Sequence, residues 1–262
     1  FGGGGGQPAW PGAGGSPSYP VPTPVPSIDG ALREPGFQQV AARASGSVGL
    51  LTISVPGQPD QPFGTAWVLG DRVLATNAHV AQVVVDAAQK GFACHVTFGG
   101  DGGARRVGIR GAILHRKYGK PHTSSSGKEP DVPAYDVALL QADAGLPPAL
   151  PMADLARLHH LAQADSVAYL GFPMEGIAGG GANLERPMAL FKDGRISSLT
   201  DWWGGATDPG SRHLMKHDMG VAGGASGSPV FDQSGNVVGL VSAGNMTMSI
   251  DPESGKLART SH

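Results

Sequence analysis

Short apolar segments of strand length alternate with turn-forming residues from about Ser45 onward. They are rich in Val, Ile and Leu and are separated by Gly, Asp and Pro, a pattern typical of β-sandwiches and β-barrels. The segments fall into two sets: 47–55, 64–70, 72–80, 94–98, 112–115 and 135–142, then 166–172, 188–199, 228–232 and 236–244. We therefore predict an all-β protein with one barrel over about 45–145, a connector over 146–165 and a second barrel over about 166–262. Helix-like composition occurs only at 78–90 and 151–164, and both stretches are subsidiary to the strands.

The N-terminal residues have a different composition. Of 262 residues, 42 are Gly and 22 are Pro, and residues 1–30 hold much of this excess. Gly-rich sequence is flexible and alternating Val-Pro pairs favour extended polyproline II, so we predict a linker over 1–35. Such a segment could tether the domain to a membrane or to a larger protein. Because Phe1 follows no signal-peptide pattern, we expect a processed N-terminus.

Charge and composition exclude several classes of protein. With 19 basic and 21 acidic residues and a net charge of −2, the chain lacks the basic stripe of a nucleic-acid-binding protein. Its one cysteine, Cys94, allows no internal disulfide. Two histidine pairs invite a metal interpretation, but His213-x-x-x-His217 lacks the Glu of the zinc protease motif and His159-His160 lies in the connector. We therefore expect no metal and no cofactor.

A glycine-flanked serine is the first candidate for chemistry. The segment GGASGSPVFD, residues 223–232, places Ser226 between glycines that let the backbone turn sharply and direct successive N–H groups to one point. A serine nucleophile needs such donors for the oxyanion, as well as a nearby base. The motif is not the G-x-S-x-G elbow of α/β-hydrolases, because residue 228 is Ser.

A histidine and an aspartate precede this serine in distinctive surroundings. His79 in LATNAHV follows a buried-looking strand and begins a possible helix, a fixed position suited to a base. Asp136 in YDVALL begins an apolar run, where a carboxylate needs a hydrogen-bonding partner such as an imidazole. Asp131 is the nearby alternative, in a polar loop. The chain order His, Asp, Ser is that of chymotrypsin and differs from the subtilisin and α/β-hydrolase orders.

With these motifs the chain resembles the chymotrypsin-fold serine peptidases, especially the bacterial HtrA-like branch. The likeness runs over about 45–245 and is strongest in GTAWVLGDRVLATNAHV, YDVALLQAD and GGASGSPVFDQSGNVVGLVSAGN. It implies two six-stranded antiparallel β-barrels with the catalytic cleft between them. It also implies that Ser226 is the nucleophile, His79 the general acid–base and Asp136 the residue that orients the imidazole. The backbone N–H groups of Gly224 and Ser226 would form the oxyanion hole.

The resemblance also implies where a polypeptide substrate binds. Ser242 matches the serine that supports the triad aspartate, and Ala243 and Gly244 match the edge that pairs with substrate main chain. Gly220 aligns with the floor of the main specificity pocket, where an acid would select Lys or Arg. Val241 stands where glutamate-specific relatives carry histidine. We therefore expect cleavage after small or medium apolar residues.

Two departures and one rival limit the resemblance. Ala225 replaces the aspartate that pairs with a freed N-terminus in digestive trypsins, so activation by that cleavage is not expected. We expect this sequence, unlike most HtrA-type proteins, to contain no PDZ domain. The rival to a serine endopeptidase is a catalytically resting binding or scaffold module of the same fold, and an esterase would use the same residues. The family and the linker together favour a location outside the cytoplasm.

Overall fold

The computed structural model describes two large β-sheets, a separate two-stranded hairpin and three α-helices. It covers residues 36–100, 103–120, 122–130, 132–173 and 184–242, together with the backbone of 246–250 and 257–261. The predicted linker, Asp131, Ala243 and Gly244 lie outside the described residues. In the described part of the chain, none of the helices has the length and apolar character needed to span a bilayer.

The first sheet is a closed antiparallel barrel. Its six strands are β1 Val48–Ser54, β2 Gln61–Gly70, β3 Val73–Thr76, β4 Ala93–Phe98, β5 Arg105–Leu114 and β6 Ala138–Ala142. They pair in the order β1-β2-β3-β6-β5-β4, and β4 closes the ring by pairing with β1. Helix α1 spans Phe37–Ala44 and helix α2 spans Ala78–Gln89. The apolar side of α2 packs into the barrel core with Leu51, Val96 and Leu140.

The second sheet is a curled half-barrel of five antiparallel strands. Its strands are β7 Ser166–Gly171, β8 Leu190–Thr200, β9 Leu214–His217, β10 Pro229–Phe231 and β11 Val237–Leu240. They pair in the order β11-β10-β7-β8-β9, and the core on one face contains Tyr169, Ile196 and Val230. The backbone of β12 Met246–Ile250 and β13 Leu257–Ser261 forms a separate hairpin. The predicted all-β, double-barrel fold class is confirmed.

A second apolar cluster joins the two sheets. Leu50 and Trp67 from the first barrel pack with Leu170 and Phe231 from the second sheet. Helix α1 adds Val40 and Ala44 to the same cluster. Helix α1 was not predicted from the sequence, because only these two of its eight residues are buried and Gly36 provides no side-chain cap. The cluster fixes the sheets against each other, and the candidate site depends on that arrangement.

The connector helix is shorter than predicted. Helix α3 spans only Leu155–His160, within the predicted 151–164. Asp154 caps it by accepting a hydrogen bond from the Arg157 N–H at 2.7 Å, and none of its residues is buried. Helices in proteins are stabilised mainly by packing of an apolar face, and here only the partly buried Leu158 packs against the core of the second sheet, so the helix stays short.

Candidate active site

His79 lies in the first turn of helix α2, directly after strand β3. Asn77 is the N-cap residue and is fully buried, and its Nδ2 donates a hydrogen bond to the Asp136 carbonyl at 3.0 Å. The start of the helix is therefore tied to the segment that bears the aspartate. The His79 side chain is 41% exposed, so its ring can be reached from solvent.

Asp136 is held by an unusual backbone before strand β6. Tyr135 has φ of 59°, a left-handed conformation that is uncommon for a residue other than glycine. The Val137 N–H donates to the Tyr135 carbonyl at 2.7 Å, and the His115 N–H donates to the Val137 carbonyl at 2.9 Å. Strand β6 begins at Ala138 rather than at Tyr135 as predicted, because this tight turn intervenes. Such strained positions cluster at functional sites.

The Asp136 carboxylate accepts three hydrogen bonds. Its Oδ1 accepts from the His79 backbone N–H at 2.9 Å, and its Oδ2 lies 2.7 Å from His79 Nδ1. The Ser242 hydroxyl donates to the same Oδ2 at 2.6 Å. The structure thus brings together three of the predicted site residues, with the carboxylate only 4% exposed.

These contacts determine the ionisation of the site. Burial by itself would raise the pKa of Asp136, but hydrogen bonds from His79 and Ser242 hold it below the ordinary value. The carboxylate is therefore ionised at neutral pH and accepts a proton-bearing Nδ1. In the neutral imidazole this leaves Nε2 as an acceptor, which is the state a general base requires.

The loop bearing Ser226 begins with a tight turn. The Ala225 N–H donates to the Ala222 carbonyl at 3.1 Å, and Gly224 has φ of 87° at the third position of the turn. A positive φ at this position defines a type II turn and favours glycine. Within the described residues, the N–H groups of Gly224 and Ser226 donate to no protein acceptor.

The loop is fastened to the first barrel by Thr65 of strand β2. The Thr65 N–H donates to the Ser226 carbonyl at 3.0 Å, and its hydroxyl donates to the Gly224 carbonyl at 2.8 Å. The same hydroxyl accepts the Phe172 N–H at 3.1 Å. A Cβ at Gly227 would collide with the Thr65 carbonyl and the Thr76 hydroxyl, so only glycine permits this approach.

Ser226 and His79 are therefore positioned by the same pair of strands. Thr76 ends strand β3, three residues before His79, and its hydroxyl donates to the Thr65 carbonyl at 2.7 Å. In the part of the chain described here, no hydrogen bond links the Ser226 hydroxyl to the His79 ring. In enzymes without substrate such hydrogen bonds are often long and form fully only in the complex.

The predicted substrate-binding residues differ in accessibility. Gly220 is exposed, and its carbonyl accepts a hydrogen bond from the Tyr169 hydroxyl at 2.8 Å. Val241 is 2% exposed, and both of its backbone groups pair with the loop that bears Ser226, at Gly227 and Ser228. Its direct contact with substrate stays a prediction.

An aromatic cluster adjoins the Asp136 segment. Tyr135 stacks on His115 at 4.9 Å between ring centroids and contacts Trp202 at 5.0 Å, and Trp202 stacks on His213 at 4.9 Å. Trp202 therefore packs against the loop that precedes Asp136, a contact the sequence could not specify.

No metal centre is evident in the described part of the chain. His213 is engaged in the aromatic cluster, and His217 lies half-buried at the end of β9. Within those residues, no group of three or more His, Cys, Asp or Glu side chains is arranged to hold a metal ion.

Three residues that build this site were not predicted from the sequence. Thr65 holds the loop that bears Ser226, Asn77 holds the start of helix α2, and Tyr135 sets the backbone turn before Asp136. Each belongs to an ordinary strand or turn pattern, so only their long-range hydrogen bonds or backbone angles reveal them. Asn77 alone carried a signal, as a helix N-cap residue beside His79.

Comparison with known proteins agrees with this architecture. One similar solved structure is that of Deg5, with 16% sequence identity and a TM-score of 0.53; the match covers 79% of this chain and 84% of the Deg5 chain. Another is that of the HtrA-type protease AlgW with a decapeptide, with 17% identity and a TM-score of 0.50; the match covers 86% of this chain and 63% of the AlgW chain. This chain therefore spans less than two thirds of the AlgW chain, and at these identities the likeness establishes the fold. No curated protein sequence matches significantly. A family model described as a trypsin-like peptidase domain matches residues 64–240, more than half of the chain. The chain therefore belongs to the family of trypsin-like peptidase domains and is a serine-type endopeptidase.

Proposed function

We propose that this domain hydrolyses peptide bonds through an acyl-enzyme intermediate on Ser226, with His79 as general acid–base and Asp136 as the residue that orients it. The observation that carries the proposal is the hydrogen-bonded series from Ser242 through Asp136 to His79 Nδ1. A carboxylate that fixes the Nδ1–H tautomer leaves Nε2 able to take a proton from a serine hydroxyl.

The reaction follows from these roles. The Ser226 oxygen attacks the scissile carbonyl while His79 Nε2 takes the hydroxyl proton. When the tetrahedral intermediate collapses, the C–N bond breaks and Nε2 returns the proton to the leaving amine, so an ester on Ser226 remains. A water molecule, deprotonated by the same Nε2, then attacks the ester and releases the acid product and free Ser226.

The oxyanion hole belongs to the same proposal. The negative oxygen of the intermediate accepts the N–H groups of Gly224 and Ser226, which have no protein acceptor among the described residues. The type II turn at Gly224 supports this assignment. A type I turn would rotate the peptide between Gly223 and Gly224 by roughly half a turn and reverse its N–H. Preorganised donors of this kind are among the largest contributions to catalysis.

The substrate in this proposal is a polypeptide. The AlgW structure that this fold resembles holds a decapeptide, which supports a peptide-binding cleft here. Gly220 provides no acid that would select Lys or Arg, and the apolar Val241 is the basis for the expected preference for small or medium apolar residues. An extracytoplasmic location, with residues 1–35 as a tether, is also part of the proposal and rests on composition.

A peptide-library digestion tests the chemistry. We expect the wild-type protein to cleave unfolded proteins and peptides, and Ser226→Ala and His79→Ala to lose this activity by several orders of magnitude. Ser234→Ala, in an exposed turn of the second sheet, is the matched control and should cleave at the wild-type rate. Equal cleavage by wild type and Ser226→Ala would refute the assignment of the nucleophile. Folded wild type that cleaves nothing would favour the resting binding module.

A further inference from the structure

The ring of Tyr135, the residue before Asp136, is held by aromatic side chains from other segments. It stacks on His115, which follows β5, with 4.9 Å between ring centroids and 8° between ring planes. Trp202, which follows β8, contacts it at 5.0 Å with the rings tilted by 50°. His122 adds an edge contact at 5.3 Å. Aromatic pairs at such separations attract each other beyond the apolar area that they bury, so these contacts fix the position of the tyrosine ring.

The position of this ring matters because the Tyr135 backbone is in the left-handed region, with φ of 59°. A residue other than glycine stays in that region only where its surroundings hold it there. Asp136 is the central residue of the turn that follows, because the Val137 N–H donates to the Tyr135 carbonyl at 2.7 Å. A return of Tyr135 to the extended region would swing this turn and move the Asp136 carboxylate away from His79 Nδ1.

Trp202 is itself fixed by the loop that carries it. This loop closes through Asp201, whose Oδ1 accepts the Trp203 N–H at 2.9 Å and the Gly205 N–H at 2.8 Å. The Asp201 N–H donates to the Gly205 carbonyl at 3.1 Å. His213 stacks on Trp202 with 17° between the ring planes. The indole is therefore a fixed support for Tyr135.

We infer that Trp202 is a positioning residue for catalysis, which holds Tyr135 in its left-handed conformation and so keeps the Asp136 carboxylate on His79 Nδ1. This inference rests on the proposed function, in which Asp136 orients the imidazole. Because Trp202 acts through Tyr135 and not through the substrate, its removal should lower kcat and leave KM nearly unchanged. Labelling of Ser226 by a small fluorophosphonate should slow by a similar factor, because the probe has no peptide to contact the indole.

Ring-removing and ring-keeping variants of Trp202 test the inference. Trp202→Leu should lower kcat and the labelling rate by about ten- to hundredfold, the cost of a catalytic group misplaced by roughly 1 Å. Trp202→Phe keeps a ring against Tyr135 and should recover most of the activity. Trp203→Leu is the matched control, because the ring of that neighbouring residue stacks on His122 at 5.1 Å, and it should label at the wild-type rate.

A second measurement separates positioning of the aspartate from a general loss of order. In the Asp136→Asn background the orienting carboxylate is already gone, so Trp202→Leu should slow the residual labelling no further. Tyr135→Leu removes the other ring of the contact and should reproduce the effect of Trp202→Leu. The Trp202→Leu/Tyr135→Leu double variant should be no slower than either single variant.

Circular dichroism establishes that each variant is folded, and Tyr135→Leu and Trp202→Phe carry the comparison if Trp202→Leu does not fold. Folded Trp202→Leu that labels at the wild-type rate, or that slows labelling by the same factor in the Asp136→Asn background, overturns the inference and leaves the proposed function intact. A raised KM with unchanged kcat makes Trp202 a substrate contact and also overturns it. Folded wild type that takes no label contradicts the proposed function and, with it, the inference.

Discussion

Replacing Thr65 with valine removes a single hydroxyl from beneath the loop that bears Ser226 and keeps the shape of the side chain. The hydroxyl is fully buried and serves two groups, the Gly224 carbonyl at 2.8 Å and the Phe172 N–H at 3.1 Å. Both bonds cross long distances in sequence, from the first barrel to the second sheet.

The size of the effect follows from what the substitution leaves unpaired. The Phe172 N–H is buried, and an unsatisfied buried donor costs about 1–3 kcal/mol. Gly224 is half-exposed, so water can replace part of the hydrogen bond that its carbonyl loses, and we expect this loss to cost about 1 kcal/mol of stability. We therefore expect Thr65→Val to lower the free energy of unfolding by about 2–4 kcal/mol and the melting temperature by about 5–15 °C.

The same substitution should weaken catalysis. Without its anchor at the Gly224 carbonyl, the turn that directs the Gly224 N–H is less well fixed. Complete loss of one oxyanion donor costs about 100- to 1000-fold in rate. Partial loss through greater mobility should slow fluorophosphonate labelling of Ser226 by about ten- to hundredfold.

Thr65→Ser is the matched control because it keeps the hydroxyl and loses one methyl group, at a cost of about 1 kcal/mol. Urea unfolding and labelling rates would be measured on wild type and both variants. If Thr65→Val matched Thr65→Ser within about 0.5 kcal/mol and labelled at the wild-type rate, Thr65 would not fasten the loop.

Four further predictions test other parts of the site and fold. Asp136→Asn should reduce kcat by about four orders of magnitude with the fold retained, because an amide no longer enforces the Nδ1–H tautomer; near-normal kcat would remove Asp136 from the mechanism. Gly224→Ala should slow labelling of Ser226 at least about 100-fold, since a positive φ disfavours alanine and the alternative turn reverses the N–H; labelling at the wild-type rate would contradict the type II assignment. Cys94 is 4% exposed and burial raises its pKa to about 11, so iodoacetamide at neutral pH should add nothing to native protein and one group after unfolding, as measured by intact mass. Burial lowers the pKa of His217, so the fold favours its neutral form; its contribution to stability is complete above the unfolded pKa of about 6.5 and declines as the pH falls below it. When the pH is lowered from about 7 to 5, the melting temperature of His217→Gln should therefore fall less than that of wild type, and an equal fall would contradict this.

The strand pattern predicted the fold class because buried strands appear in the sequence as runs of apolar residues. The prediction failed for elements that bury few residues or that begin with polar residues. Strand β5 begins at Arg105, seven residues before the predicted segment, because its first residues are polar but pair with β4. Helix α1 was missed because it buries only two residues.

The candidate site was predictable where chemistry concentrates in short motifs. Glycines around Ser226, and His79 at a strand–helix junction, are local signals. The hydroxyl of Thr65 binds a carbonyl 159 residues away in the sequence, so no local pattern identifies it. The unusual φ of Tyr135 is equally invisible, since tyrosine ordinarily avoids that conformation.

Fluorophosphonate labelling read by intact mass and peptide mapping tests the central claim most directly. The account predicts one adduct on wild type, located on Ser226, and none on Ser226→Ala or His79→Ala when circular dichroism shows that each is folded. An adduct on another residue, equal labelling of the His79→Ala variant, or no adduct on folded wild type would contradict an activated Ser226.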